Sequence, residues 1–174
     1  MRTDLLRARL LEALALKELP RAGWVREGVQ QPESVAAHSW GVAWLVLVLC
    51  PEHINREQAL CIAIVHDLAE LRVGDITPHD GVDPQDKAAR ELAAFSDLNT
   101  GLPVDLMPFT RAYGKTPEGR FVKACDKLDM ALQAQRYGAV QGLALQEFID
   151  SALAKLEPGL LRELAAGTAP PTVQ

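Results

Sequence analysis

The residues of this chain best suited to chemistry lie in the run His66-Asp67-Leu68-Ala69-Glu70, followed by Gly74-Asp75-Ile76-Thr77-Pro78. Imidazole and carboxylate ligate borderline or hard divalent ions, and Glu70 falls one helical turn beyond His66, on the same face. Asp67 sits in an apolar neighbourhood, and a carboxylate buried without a partner is costly, so it needs an ion, a cation or hydrogen bonds.

Two more candidates stand in other apolar stretches, His38 and Asp126. Taken singly, each of His38, His66, Asp67 and Asp126 is as readily a hydrogen-bonded core residue as a ligand. Together they fall on three predicted helices and describe one two-histidine, two-aspartate site, the kind that facing helices of a bundle build.

The elements that must position these residues are helical. Thr3 caps a first helix that ends near Leu19-Pro20. The stretch from Glu33 to Cys50 is apolar almost all round, which predicts a central helix with Trp40 and Trp44 in the core or at a helix interface. Asn55 and Gln58 form a capping box for a helix from Arg56 to about Leu71. A polar amphipathic helix is expected from Pro84 to Leu98, with Lys87 and Glu91 pairing on an exposed face.

Residues 99 to 114 hold two prolines and two glycines and predict short helical pieces at most. Thr116-Pro117-Glu118 supplies a cap, an N1 proline and a first-turn acid for a helix reaching about Tyr137. Asp126 and Asp129 lie on it, Asp129 as support for the site or as a surface acid, with Lys127 expected in solvent. A helix from Leu143 to about Leu156 and a short one from Gly159 to Ala166 precede a frayed tail at 167–174. No repeat or strand is evident, so the class is all-α: one domain over residues 1–174, with about six or seven main helices.

Between the first two long helices, Arg21, Trp24 and Arg26 share a glycine-containing loop. Trp24 either offers a flat face to a planar ligand, with Arg21 or Arg26 near an anion, or plugs the core beneath solvated arginines. His53 and His79, in polar turns, read as solvated.

A net charge of −5 gives no basic reservoir for a nucleic-acid polymer. Cys50, Cys61 and Cys125 are odd in number and set among aliphatic residues, so they read as reduced core thiols. The longest oily run, Val42 to Cys50, is too short to span a bilayer, and the first residues lack a signal pattern. A cytoplasmic protein without a membrane partner is expected.

At this point the chain resembles a known family, the HD-domain phosphohydrolases, and is similar within it to the 5′-deoxynucleotidase branch. The stretches that carry the likeness are Gly23-Trp24, Glu33 through Trp40, His66 through Glu70, Gly74 through Pro78 and Phe121 through Asp129, across residues 20–137. His-Asp-x-x-Glu followed by Gly-Asp-Ile-x-Pro at this spacing is its specific part. The resemblance implies an HD-type bundle in which His38, His66, Asp67 and Asp126 hold one divalent ion, of Mn, Co, Mg or Zn. It implies that Glu70, with Asp75, acts in catalysis, and that Asp75, Ile76, Thr77 and Pro78 contact substrate beside Trp24. Some members carry an arginine directly before that tryptophan; here Gly23 stands there, and Arg21 or Arg26 is the substitute.

The activity so implied is hydrolysis of (deoxy)nucleoside 5′-monophosphates by a metal-bound water. Hydrolysis of a cyclic nucleotide or nucleoside polyphosphate is the alternative within the superfamily, and a catalytically silent metal-binding module the alternative outside enzymes. A nucleotide is the expected partner, and the apolar helices leave room for a homodimer.

Overall fold

The computed structural model describes residues 2–167, so the tail expected at 167–174 lies, apart from Gly167, outside the described residues. The chain folds into helices α1 (Arg2–Leu14), α2 (Ala22–Arg26), α3 (Val35–Leu49), α4 (Arg56–Val65), α5 (Glu70–Val73), α6 (Pro84–Asn99), α7 (Met107–Ala112), α8 (Pro117–Gln141), α9 (Gln146–Leu153) and α10 (Leu160–Ala166). No strand occurs among the described residues; Pro20 and Ser34 form one isolated bridge. The all-α expectation holds.

Local chemistry starts three long helices, two of them, at Asn55 and Thr116, where the sequence places their caps. The Ser34 hydroxyl accepts from Ala37 N, Asn55 accepts from Gln58 N, and Thr116 accepts from Gly119 N ahead of Pro117. Each side chain satisfies a backbone donor that has no partner inside its own helix.

Helix α8 is the axis of the molecule. Its Val122 and Cys125 pack with Val42 and Val46 of α3 and with Ala59, Ile62 and Ala63 of α4. One turn on, Leu128 and Ala131 meet Ala152 of α9 and Ala165 of α10. Small residues at these contacts let the helix axes approach closely, and that brings His38 on α3 and Asp126 on α8 to the same depth.

Thr3, expected as a cap, lies inside α1, and the stretch around Trp24 that reads as a loop forms the short helix α2. Two further departures bear on the site. The helix predicted from Arg56 to Leu71 stops at Val65, and residues 66–69 form a tight turn before α5. Bonds of the i to i+3 type replace the helical ladder there, from Leu68 N to Val65 O and from Glu70 N to Asp67 O. The His66 ring also takes the Ala63 carbonyl at 2.7 Å, an acceptor the helix would otherwise give to a backbone amide. Gly74, at φ 79°, then ends α5 as its glycine suggests.

The second departure is the tryptophan pair. Trp40 is 70% and Trp44 52% exposed, their rings stacked 6.4 Å apart. Helix α3 buries Val35, His38, Val42 and Val46, so the opposite face, where Trp40, Trp44, Leu47 and Val48 project, lies outside the core. No described helix is long and apolar enough to cross a membrane.

Candidate metal centre

His38 leaves α3 in its first turn, His66 and Asp67 leave the tight turn after α4, and Asp126 leaves the middle of α8. The fold brings these four predicted residues together. His38 Nε2 lies 3.3 Å from Asp126 Oδ1 and 3.6 Å from Asp67 Oδ2; His66 Nε2 lies 3.3 Å from that same Asp67 oxygen. Donors bonded to one ion at about 2.0–2.2 Å stand roughly 3–3.5 Å apart; His38, His66 and Asp67 lie close enough together to share a divalent ion, and Asp126 adjoins them through His38.

Both rings are turned for that purpose. His66 Nδ1 faces the Ala63 carbonyl, which only accepts, so Nδ1 carries a proton and Nε2 is the nitrogen turned toward Asp67. His38 Nδ1 meets Asp129 Oδ2 at 2.7 Å. His38 Nε2 and His66 Nε2 are then buried nitrogens without a hydrogen-bond partner among the described residues, in a place where an orphan is expensive. Imidazole with one nitrogen anchored and the other pointed at carboxylates is how metal-binding histidines are held.

Asp126 divides its oxygens. Oδ1 faces His38, while Oδ2 accepts from the Tyr113 hydroxyl at 2.6 Å and pairs with Lys127 at 2.9 Å. Against the cost of burial, Lys127 and His38 hold its carboxyl well below the usual carboxylate range. Asp67 is likewise lowered: burial opposes its charge, but His66, Arg21 and His38 outweigh it. Both are therefore anions ready to ligate. Burial opposes protonation of His38 too, yet Asp126 and Asp129 lift it to about 10 in the absence of an ion.

Glu70 is 5% exposed, and its Oε2 has no hydrogen-bond partner among the described residues. Burial, reinforced by the charges of Asp67 and Asp75, pushes its carboxyl up to about 9. A carboxyl of this kind beside a cation site is suited to giving and taking protons.

His66, Asp67, Glu70 and Asp126 open into a pocket of about 540 Å³, also lined by Arg21, Trp24, Ile76, Thr77 and Pro78. That volume is ordinary for a small-molecule site. Arg21 Nη1 donates to Asp67 at 3.1 Å and its Nε lies 3.6 Å from Asp75. Asp75 also accepts from Ala22 N at 2.8 Å, which ties the loop before α2 to the turn after α5. Arg26 is paired with Glu27 and Glu147 at the rim, so Arg21 is the inner of the two arginines.

Trp24 proves to be a core residue. It is buried against Tyr137 and Phe148, and its indole N–H donates to Glu33 at 2.9 Å. Trp24 still lines the pocket, though it is 2% exposed. Lys127, expected in solvent, is drawn inward by Asp126. Lys87 pairs with Glu91 at 3.5 Å as expected and also donates to the Ile76 carbonyl at 2.7 Å, bracing the turn beside Asp75. His79 is half exposed and bonded to Glu147 at 2.9 Å.

Tyr113 escaped the sequence reading. It follows α7 in a stretch read as loop, and its ring stacks on His66 at 5.2 Å while its hydroxyl holds Asp126. Only an aromatic among turn residues marked it. Asp129 and Lys127, by contrast, were readable as neighbours of Asp126 on one helix. The three cysteines are free, and burial pushes the Cys125 thiol up to about 12, as suits an inert core residue.

The family model of the HD domain matches residues 13–164. The 5′-deoxynucleotidase HDDC2 of Bos taurus is 39% identical over 148 residues, 80% of this chain and 72% of the relative. A crystal structure of a Pyrococcus horikoshii protein is 36% identical with a TM-score of 0.77, covering 90% of this chain and 92% of that one. A structure from Magnetospirillum magnetotacticum, described as a predicted metal-dependent phosphohydrolase, is 25% identical with a TM-score of 0.72, over 95% of this chain and 90% of that one. With its histidine and aspartate set converging on one buried point and the domain match covering most of its length, this chain belongs to the HD-domain family.

Proposed function

We propose that the chain is a metal-dependent phosphomonoesterase that hydrolyses deoxynucleoside 5′-monophosphates to nucleoside and phosphate. The observation that carries this is the aim of two partnerless imidazole nitrogens, His38 Nε2 and His66 Nε2, at Asp67 and Asp126 beside the buried Glu70. The relatives named 5′-deoxynucleotidase supply the substrate class.

His38, His66, Asp67 and Asp126 would hold the ion. A divalent ion at such a site supplies a Lewis acid for the phosphoryl group and an acidified water at neutral pH. Glu70, whose carboxyl is raised to about 9 and so carries a proton at neutral pH, gives that proton to the departing 5′-oxygen and takes one from the attacking water in return. Arg21, held between Asp67 and Asp75, faces the pocket as the cation for the phosphate, in place of the arginine that Gly23 lacks. Asp75 positions Arg21, while Ile76, Thr77 and Pro78 form the wall against the sugar, and Trp24 lines the same pocket.

Release of phosphate from the deoxynucleoside monophosphates, measured with Mn²⁺, Co²⁺, Mg²⁺ or Zn²⁺ after chelation, tests the assignment. Turnover with at least one of these ions and none after chelation is expected; turnover confined to cyclic nucleotides or triphosphates would overturn it.

The exposed stripe of Trp40, Trp44, Leu47 and Val48 is assigned to a second copy of the chain. A dimer that Trp40→Glu converts to monomer in sedimentation is the expected result. Three free cysteines accord with a reducing compartment, and the cytoplasm is the assigned location.

A further inference from the structure

A second cleft, of about 880 Å³, opens between the first half of α8 and the segment joining α9 to α10. Its charged lining is Arg120, Lys123, Lys127 and Lys155 against one carboxylate, Glu157. Lys127 is neutralised by Asp126. Among the described residues neither the Lys123 nor the Lys155 side chain has a hydrogen bond or an ion pair, and the Arg120 guanidinium donates only to the Lys115 carbonyl. Counting Arg120, Lys123 and Lys155 against Glu157 leaves an excess of two positive charges in the lining of one concave wall.

Such crowding costs energy unless an anion answers it. Lys155 feels the cost, its ammonium being lowered by burial and then by the charge of Lys127, which Asp126 offsets in part, and of Lys123. The remaining wall is apolar: Leu49, Phe121 and Leu160 face the same space, and Leu160 is exposed there. A body that is doubly anionic at one end and flat and apolar at the other matches both walls. A phosphate monoester carries that charge at neutral pH, and a nucleobase supplies the apolar end.

We propose that this cleft binds a nucleotide by its phosphate, at a site distinct from the catalytic pocket. Arg120, Lys123 and Lys155 hold the phosphate, and the base lies against Phe121 and Leu160. Lys123, Lys127 and Lys155 line both pockets and so form the partition between them. A nucleotide in the cleft therefore stands across one lysine layer from Asp126.

Titration calorimetry of the full chain in EDTA, with dAMP and inorganic phosphate as separate probes, tests this. Arg120→Glu and Leu160→Asp change surface positions of the cleft alone, whereas Arg21→Ala changes the catalytic pocket alone. Binding of dAMP weakened at least about tenfold by either cleft variant and unchanged by Arg21→Ala is the expected result. Inorganic phosphate should bind more weakly than dAMP, be weakened by Arg120→Glu and ignore Leu160→Asp. Binding of dAMP that survives both cleft variants, or that disappears in Arg21→Ala, overturns the proposal, as does phosphate bound as tightly as dAMP. The EDTA condition keeps the outcome independent of whether the chain hydrolyses nucleotides.

Discussion

His38 Nδ1 and Asp129 Oδ2 meet at 2.7 Å across the contact between α3 and α8, and Gly41, three residues after His38, makes the room for it. Asp129 thus fixes a ring whose other nitrogen faces Asp126 and Asp67. Outer partners of this kind set the orientation and basicity of a ligating imidazole.

Replacing Asp129 is expected to loosen the ion without unfolding the chain. Asp129→Asn keeps an acceptor for Nδ1–H and loses the charge, so Mn²⁺ affinity should fall by about tenfold; Asp129→Ala should approach about a hundredfold. Calorimetric Mn²⁺ titration checks both, and equal affinity in all three proteins would exclude the positioning role.

Gly41→Ala carries the same relationship into packing. A Cβ at position 41 collides with the Asp129 carboxylate, which must swing away from His38 or push α3 off α8. A loss of about 1–3 kcal/mol in urea unfolding is expected, the ordinary range for overpacking. In an Asp129→Ala background the same change should cost much less; strict additivity would contradict the contact.

Metal uptake should release a proton. Without an ion His38 is lifted from 6.5 to about 10, so at neutral pH it carries a proton that a cation must displace. Affinity should rise by about tenfold per pH unit through the neutral range and level off near the folded value. The sign for stability is opposite to that of a carboxylate: the protonated ring favours the metal-free fold fully below 6.5, and that contribution fades as pH rises toward 10. Mn²⁺ titrations in buffers of different ionisation enthalpy read the released proton, and a flat affinity between pH 6 and 8 would refute it.

Helix caps, apolar periodicity and the four candidate ligands were legible in the sequence because each rests on local chemistry. Asn55 and Thr116 announce their helices, and His-Asp-x-x-Glu announces the site. Contacts decided by which faces meet were not legible. The apolar surround of α3 left the tryptophans assignable to a core, and only its packing on α4 and α8 shows them outside. The break after Val65 was hidden because the apolar pattern continues through it; a histidine side chain competing for a helix carbonyl leaves no trace in periodicity. Tyr113 reaches Asp126 only because α7 folds back on the start of α8, a relationship between segments rather than within one.

Glu70→Gln tests the central claim most directly, because it removes the proton exchange while leaving the four candidate ligands in place. Phosphate release from a deoxynucleoside monophosphate and Mn²⁺ binding should be measured on the same preparation. The account predicts Mn²⁺ affinity within about twofold of the unaltered protein and a fall in kcat of about a hundredfold or more. Full turnover in the variant, or an unaltered protein that binds no divalent ion, would contradict it.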